Sequence, residues 1–351
     1  MKFAQSIMAW YQDNKRMLPW RETKDPYKIW LSEVILQQTR VAQGLPYYIA
    51  FTKTFPTVGS LAKAKEQQVL RLWQGLGYYS RARNLHRCAK TIVKEYGGLF
   101  PPSFDELQKL PGVGPYTAAA IASIAFNESV AVVDGNVFRV LARIFGIELD
   151  IASNEGKAFF FAKANELIPK EHPDLFNQAM MEFGATWCTP KNPKCEECIF
   201  KKSCVAYQKG LVALLPVKLK KTKVRKRYLN YFIIEWNNKI GMKKRETKDI
   251  WHGLYDFHLN ETTREQNPQR LVDKDAWITQ VKKKEVKIYD SVKHILSHQL
   301  LSVRFIWIKV LDKELPADFP YLLFSSRQVA TLPKPIVITR FLEEAAFIRK
   351  V

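Results

Sequence analysis

Long apolar runs are absent from this sequence of 351 residues, and no stretch approaches the length needed to span a bilayer. The first residues, MKFAQSIMAWYQDNKR, are amphipathic and lack the apolar core and small-residue site of a cleavable signal. We therefore expect a soluble protein that stays inside the cell.

Acidic residues are scarce relative to basic ones. Asp and Glu number 34 against 55 Lys and Arg, which gives a formal net charge of +21. Such an excess predicts attraction to a polyanion. Nucleic acid is the more economical partner, and an anionic membrane surface is the alternative. The length favours two domains over a single core.

Cysteine is also scarce, since only 5 are present and four of them fall within one short loop. The four are spaced as Cys188-x6-Cys195-x2-Cys198-x5-Cys204. This clustering argues against a disulfide framework and for a metal site in a reducing compartment. Zinc sites with four cysteines commonly use two CxxC pairs, whereas only one pair is that close here. The spacing therefore favours an iron-sulfur cluster over zinc.

The rest of the chain is organised around residues 110–136, LPGVGPYTAAAIASIAFNESVAVVDGN. Capping-box spacing in the preceding PSFDEL predicts a helix that ends at the Leu-Pro break. Pro115 suits the first position of a second helix, which its Ala-rich sequence predicts to be buried. Gly112 and Gly114 lie between the two helices and turn backbone N–H groups outward, where a phosphate can bind. We predict a helix-hairpin-helix over about residues 103–126.

Asp134 follows an apolar run and precedes a helix predicted to begin near Val137. An Asp in this position is typical of a helix N-cap, which is the structural interpretation. It is also a candidate catalytic carboxylate. The two interpretations are compatible, because a capping interaction fixes the direction in which the carboxylate points.

Glu33 is the second candidate carboxylate. A helix predicted over residues 27–36 places it on one face with Ile29, Trp30 and Leu36, at i±3 and i±4 spacing. Two interpretations are open. Glu33 is either a partly solvated surface residue, the usual situation of Glu, or a general acid whose pKa is raised by desolvation.

Two polar segments have the composition of nucleic-acid contacts. The amides of QQTR, residues 37–40, suit hydrogen bonds to base edges, although the end of a helix explains them equally. Residues 73–83, WQGLGYYSRAR, interleave glycines, tyrosines and arginines. This suits a loop that stacks on bases and contacts phosphate, with a tight turn carrying surface arginines as the alternative.

The sequence changes character after about residue 210. Residues 1–210 are predicted to be almost entirely helical, and residues 211–227 to form a basic linker that is solvated or lies along DNA. The segments YLNYFIIEW, WHGLYDFHL and LLSVRFIWIKV are predicted strands, and ITRFLEEAAFIRK is a predicted helix. Residues 228–351 therefore form a separate α+β domain.

Five motifs together resemble the adenine DNA glycosylases of base excision repair, within the helix-hairpin-helix superfamily that includes endonuclease III. They are WRETKDPYKIWLSEVILQQT, GLGYYSRARNL, LPGVGPYTAAA, VDGNV and the four-cysteine loop. The resemblance implies a mainly α fold, in which two helical subdomains flank a cleft. It also implies one 4Fe-4S cluster on the loop over residues 188–204 and a Nudix-like C-terminal domain.

That C-terminal domain is expected to read the lesion. No GxxxxxE...REUxEExGU pattern follows Gly253, so nucleotide hydrolysis is not expected of it. In the family, a Phe-Ser-His element approaches oxidised guanine. The nearest match here is Leu296-Ser297-His298, in which leucine replaces the aromatic residue.

Cleavage of an N-glycosidic bond calls for two carboxylates in different protonation states. We expect Glu33 to protonate the purine and Asp134 to stabilise the sugar cation, with a covalent Asp134 adduct as an alternative. The resemblance adds Tyr116 and Asn136 as supports. It implies an adenine pocket formed by Trp20, Arg21, Leu36, Val41 and Glu182. It implies contacts to DNA from Gln38, Thr39, Leu76, Tyr78, Gly112, Gly114, Ser297 and His298.

Bifunctional relatives carry a lysine where this chain has Tyr116, so we expect a monofunctional hydrolase. The expected substrate is double-stranded DNA with adenine opposite 8-oxoguanine or guanine. We expect a monomer, away from membranes, in the nucleoid region of a bacterial-type cytoplasm. A thymine or uracil mismatch glycosylase of the same fold would leave the C-terminal domain unexplained. A non-catalytic DNA-binding protein with a structural zinc would leave Glu33 and Asp134 unexplained.

Overall fold

The computed structural model describes residues 2–219 and 224–348. Contacts divide them into two compact units. The helical unit contains the described residues up to Ala64 and from Ser80 to 219. The sheet unit contains Lys65–Tyr79 and the described residues from 224 onward. In these ranges, no helix has the length and apolar character needed to cross a bilayer.

Helices dominate the described chain before the first strand, as predicted. They are α1 (Lys2–Asn14), α2 (Pro26–Leu36), α3 (Val41–Thr54), α4 (Val58–Lys63), α5 (Glu66–Leu72), α6 (Tyr79–Glu95), α7 (Phe104–Gln108), α8 (Pro115–Phe126), α9 (Gly135–Phe145), α10 (Asn154–Leu167), α11 (Pro173–Thr186) and α12 (Val205–Gln208). A 3₁₀ turn over Pro19–Arg21 precedes α2.

Local sequence signals explain where the site-bearing helices begin. Asp25 caps α2 by accepting a hydrogen bond from the N–H of Tyr27, and Pro115 occupies the first turn of α8. Asp134 caps α9 by accepting from the N–H groups of Asn136 and Val137. The predicted helix starts at Pro115 and Asp134 are thus confirmed.

One buried core of the helical unit lies between α1, α9, α10 and α11. Its buried members include Ile7, Val140, Phe160, Phe176 and Phe183. Because α9 packs here against α11, the start of α9 lies beside Gly184 of α11. Gly184 makes this approach possible, since a Cβ there would lie 2.6 Å from the Cβ of Asn136.

The sheet unit is built on eight strands and three further helices. The strands are β1 (Arg225–Trp236), β2 (Lys239–Lys244), β3 (Tyr255–Asp256), β4 (His258–Thr262), β5 (Lys284–Ile288), β6 (Val292–Leu296), β7 (Gln299–Val310) and β8 (Leu322–Ser325). The helices are α13 (Pro268–Lys274), α14 (Ser326–Thr331) and α15 (Ile336–Glu344). The strand order is β3-β2-β1-β7-β5, and β4, β6 and β8 pair with β1, β7 and β2 respectively.

Alternation along β7 separates the two faces of this mixed sheet. Ile306 and Ile308 pack in one cluster with residues of α13 and the turn after it. Phe305 faces the other way and stacks on Phe341 of α15, with ring centroids 4.0 Å apart. The pairing of β1 with β7 is parallel and the other strand pairs are antiparallel.

Two expectations for this part of the chain need correction. WHGLYDFHL is not one strand, because Trp251 and Gly253 take left-handed backbone conformations and β3 starts only at Tyr255. The basic segment after residue 218 lies partly outside the described residues, at 220–223. Its end is not a solvated linker, since β1 begins at Arg225 and Arg227 is buried in ion pairs with Asp249 and Glu261.

Candidate active site

A cavity of about 180 Å³ lies within the helical unit, between α2, α8, α9 and α11. It contains the four residues predicted to be catalytic and the five predicted for the adenine pocket, together with one predicted DNA contact. These are Glu33, Tyr116, Asp134, Asn136, Trp20, Arg21, Leu36, Val41, Glu182 and Thr39. Residues as far apart in sequence as Trp20 and Glu182 therefore meet around one space, as the two-carboxylate hypothesis requires.

Glu33 is buried, and not the partly solvated surface residue of the alternative interpretation. Its Oε2 accepts a 2.6 Å hydrogen bond from the hydroxyl of Tyr116. Burial and the nearby charge of Asp134 raise the pKa of Glu33 to about 7, against the opposing effects of the Tyr116 hydrogen bond and the Arg21 charge. At neutral pH, Glu33 can therefore both hold and release a proton.

Asp134 is held far more tightly by hydrogen bonds. Its Oδ1 accepts from the backbone N–H groups of Asn136 and Val137 at 2.9 and 2.8 Å, and its Oδ2 accepts from the Asn136 amide at 2.7 Å. Burial raises the pKa of Asp134, and these hydrogen bonds oppose that rise because they favour the charged form. Between the two carboxyls, Glu33 is the one that we expect to keep its proton to higher pH.

Glu182 lines the cavity but is bound to arginine. Its carboxylate accepts from Arg16 at 2.7 and 2.6 Å and from Arg21 at 2.6 Å. Burial acts to raise the pKa of Glu182, but the hydrogen bonds from the two arginines lower it to about 2. This residue is therefore ionised throughout the physiological range.

The sequence did not predict several residues that line the cavity. Arg16, Leu18, Gln178 and Met181 line the cavity alongside the predicted residues. Gln178 precedes Glu182 by one helical turn on α11, so i, i+4 spacing could have indicated it. Arg16 carried no local signal, because its position depends on the contact with Glu182, which lies far away in sequence.

The glycine hairpin between α7 and α8 is exposed. Gly112 has a φ of +77°, and a Cβ there would lie 2.7 Å from the Cβ of Asn84, so glycine is required on two counts. Gly114 is extended and ends the hairpin at the start of α8, where no side chain caps the helix. Its open surroundings leave room for a phosphate to approach the backbone.

The residues predicted to contact DNA outside the cavity differ in exposure. Gln38 is exposed, and both Gln38 and Tyr78 take left-handed backbone conformations, with φ of 54° and 48°. Non-glycine residues with left-handed backbone conformations are uncommon, and they concentrate at functional sites. Leu76, by contrast, is buried, so its side chain is not presented to DNA.

Arg81 of WQGLGYYSRAR fits neither interpretation of that segment. Arg81 turns inward and donates from Nη1 to the carbonyl oxygens of Val34 and Ile35, each at 3.0 Å. It therefore satisfies the C-terminal end of α2, the helix that carries Glu33. The contact to phosphate expected from this segment does not apply to Arg81.

In the sheet unit, Ser297 and His298 form the exposed turn between β6 and β7. The backbone carbonyl of His298 accepts a 2.9 Å hydrogen bond from the N–H of Arg225. The hydroxyl of Ser297 is hydrogen-bonded to the hydroxyl of Tyr78. Two residues predicted to face the opposing base are therefore in contact with each other.

The four clustered cysteines line one cavity of the helical unit. Within residues 2–219 and 224–348, no three His, Cys, Asp or Glu side chains are placed to bind a single metal ion. Arg143 contributes positive charge, and its Nη1 lies 3.5 Å from the Cys188 sulfur.

One helix links this loop to the catalytic pocket. Arg139 of α9 donates from Nε to the carbonyl of Cys188 at 2.7 Å and from Nη2 to the side chain of Asn136 at 2.9 Å. Asn136 in turn donates to Asp134. Three successive hydrogen bonds, through Arg139 and Asn136, therefore join the loop to the carboxylate of Asp134.

Family models match three parts of the chain. A model described as HhH-GPD superfamily base excision DNA repair protein matches residues 31–162, and the iron-sulfur binding domain of endonuclease III matches residues 188–204. A NUDIX domain matches residues 230–344. Fold and site thus define a base excision DNA glycosylase of the helix-hairpin-helix class. Its cofactor is one 4Fe-4S cluster, and the matched iron-sulfur segment contains all four cysteines of the loop.

Comparison with individual proteins narrows this class. The adenine DNA glycosylase of Buchnera aphidicola subsp. Baizongia pistaciae is 37% identical over 87% of this chain and 86% of its own. The Homo sapiens adenine DNA glycosylase is 45% identical over 59% of this chain and 40% of its own. The structure of a thermostable thymine-DNA glycosylase matches with a TM-score of 0.55 and 32% identity, covering 59% of this chain and 95% of that one. The chain belongs to the adenine DNA glycosylase family, enzymes of base excision repair.

Proposed function

We propose that this enzyme hydrolyses the N-glycosidic bond of adenine mispaired with 8-oxoguanine or guanine in double-stranded DNA, and that it acts as a monomer. The observation that carries the proposal is the shared cavity of Glu33 and Asp134, in which the pKa of Glu33 is raised to about 7. Both carboxyls come from one chain, so no second copy is needed to complete the site.

The adenine nucleotide must first leave the duplex, since the bond to be cleaved is otherwise out of reach. Glu33 then donates its proton to a ring nitrogen of the purine, and the bond from the sugar to the base breaks with its electron pair moving to the base. Asp134, ionised and fixed by its cap, stabilises the sugar cation. Water adds to the cation, its proton returns to Glu33, and free adenine and an abasic site result.

Tyr116 supports a reaction without strand cleavage. A bifunctional enzyme needs an amine that forms a Schiff base with the opened sugar. The tyrosine donates its hydrogen bond to Glu33 instead, and burial raises the pKa of its hydroxyl far from the range of a nucleophile. The proposed product is therefore an intact strand with an abasic site.

Recognition of the opposing base is assigned to the exposed turn of Ser297 and His298 with Tyr78, and to Gln38 and Thr39. Hydroxyl and imidazole groups can donate to or accept from the altered edge of an oxidised guanine. The stretch after Gly253 forms the short strands β3 and β4, and its sequence lacks the acidic pattern of nucleotide hydrolases. The proposed task of the Nudix-like domain is therefore to read the lesion, without nucleotide hydrolysis.

A glycosylase assay on matched duplexes tests the proposal. Under single-turnover conditions, duplexes carry A opposite 8-oxoguanine, guanine or thymine, and T or U opposite guanine. We expect release of adenine from the first two, with strand breaks appearing only after alkali treatment. Release of thymine or uracil without adenine would replace the proposal with a mismatch glycosylase. Release of no base would remove the catalytic assignment.

A further inference from the structure

The carboxylate of Glu182 is fully buried and has no capacity left for another partner. Its Oε1 accepts from the backbone N–H of Arg16 at 3.1 Å and from Nε of Arg16 at 2.7 Å. Its Oε2 accepts from Nη2 of Arg16 and from Nη2 of Arg21, both at 2.6 Å. These contacts use about four lone-pair sites, which is all that a carboxylate offers. A hydrogen bond from an adenine amino group to Glu182 is therefore excluded while the cluster is intact.

Arg21 is fixed by the same cluster. Its Nη1 donates to the carbonyl of Arg16 at 3.1 Å, and its guanidinium lies 5.5 Å from the centroid of the Tyr11 ring. Its side chain is only 14% exposed and lines the cavity together with Glu33. The position and the neutralisation of Arg21 therefore bear directly on the charge that Glu33 experiences.

We infer that Glu182 is a positioning residue that holds Arg16 and Arg21 in an arginine clamp, and thereby sets the positive charge that Arg21 presents to Glu33. The inference rests on the proposed role of Glu33 as the general acid. It replaces the expectation that Glu182 contacts adenine. Arg21 keeps its place in the wall of the pocket.

The charge of the clamp predicts opposite effects for two neutral substitutions. With two arginines and one glutamate, the clamp has a net charge of one positive. Glu182→Gln keeps the shape but removes the neutralising charge, so Arg21 acts more strongly on Glu33 and favours its ionised form. Arg16→Gln leaves Glu182 to neutralise Arg21 alone, so the effect on Glu33 is weaker and the protonated form is favoured.

Other charged groups near these residues stay constant in this comparison. Tyr116 of α8 and Asp134 at the start of α9 act on Glu33. Tyr11 of α1 and Asp174 of α11 lie near the arginine clamp. Neither substitution alters any of them, so a change in the pH dependence of adenine release reports on the clamp.

The experiment measures single-turnover release of adenine opposite 8-oxoguanine across a pH series. It compares wild type with Glu182→Gln, Arg16→Gln and a matched control, Glu166→Gln. Glu166 is exposed on α10 and pairs only with Lys163 among the described contacts. We expect the alkaline limb of the profile to move down by about one pH unit in Glu182→Gln and up in Arg16→Gln. The maximal rate of Glu182→Gln should fall roughly tenfold to a hundredfold as Arg21 loses its position. The control should match wild type.

The inference would be overturned if the alkaline limbs of the pH profiles of both variants coincided with that of wild type, or if both moved in the same direction. Visible absorption of the cluster and the thermal midpoint establish that each variant is folded. If Glu182→Gln does not fold, the inference is tested by Arg16→Gln alone, in which the alkaline limb should move to higher pH. Failure of the proposed function is distinct, because wild type itself would then release no adenine.

Discussion

The hydroxyl of Tyr116 donates a 2.6 Å hydrogen bond to the carboxyl of Glu33, inside a cavity that Asp134 shares. Because this bond favours the ionised form of Glu33, it opposes the effect of burial on the pKa of that carboxyl. Tyr116→Phe should therefore raise the pKa of Glu33 further and move the alkaline limb of adenine release to higher pH. A limb that moves to lower pH would show that Tyr116 does not act on Glu33 in this way.

The pKa of Glu33 sets the pH dependence of the wild-type enzyme. A general acid must be protonated, so the rate of adenine release should be steady below about pH 7 and fall about tenfold per unit above it. At lower pH, protonation of Asp134 should remove the counter-charge and reduce the rate again. Glu33→Gln, which has no proton to lose in this range, should abolish the alkaline limb along with nearly all activity. Single-turnover rates between pH 5 and pH 9 test both limbs.

Asp134 both caps α9 and supplies a negative charge to the site, and two substitutions separate these roles. Asparagine can still cap a helix, so Asp134→Asn should keep the thermal midpoint close to wild type while losing at least about a hundredfold in rate. Asp134→Ala should lose the same activity and, in addition, about 1 kcal/mol of stability because the cap is gone. Near wild-type activity in Asp134→Asn would reduce Asp134 to a structural role. Thermal unfolding and single-turnover kinetics on the same preparations measure the two effects.

The sequence predicted the helix starts and caps, which depend on interactions between residues close together in the chain. Pro115 starts α8 and Asp134 caps α9, because both act on backbone groups within one helical turn. These positions depend little on the rest of the fold.

Positions set by distant contacts were not predictable in the same way. Arg81 is a residue type that commonly contacts phosphate, yet the fold places it against the carbonyl groups at the C-terminal end of α2. Arg16 and Glu182 meet across more than half of the helical unit's sequence. Gln38 and Tyr78 adopt left-handed backbone conformations that residue type alone does not predict. Each depends on tertiary packing, which overrides local preference.

The cluster ligands can be tested apart from the chemistry. Cys198→Ala removes one of the four cysteines that we propose as ligands, so the purified protein should lose its visible absorption and its bound iron. Cys88→Ala is the matched control, because Cys88 is buried outside the loop and should leave both unchanged. Iron analysis and absorption spectra of the two variants measure the difference. Full iron content in Cys198→Ala would contradict the assignment of that ligand.

The contact between Tyr78 and Ser297 predicts an effect on discrimination rather than on chemistry. Ser297→Ala removes a hydroxyl from the exposed turn, so the preference for adenine opposite 8-oxoguanine over adenine opposite guanine should fall several-fold, as loss of one hydrogen bond of about 1 kcal/mol implies. The rate on the guanine mispair should change little, because Glu33 and Asp134 lie in the cavity of the helical unit. Ser302→Ala, within β7 and outside the turn, is the control. Equal losses on both mispairs would mean that Ser297 supports binding in general and does not read the lesion.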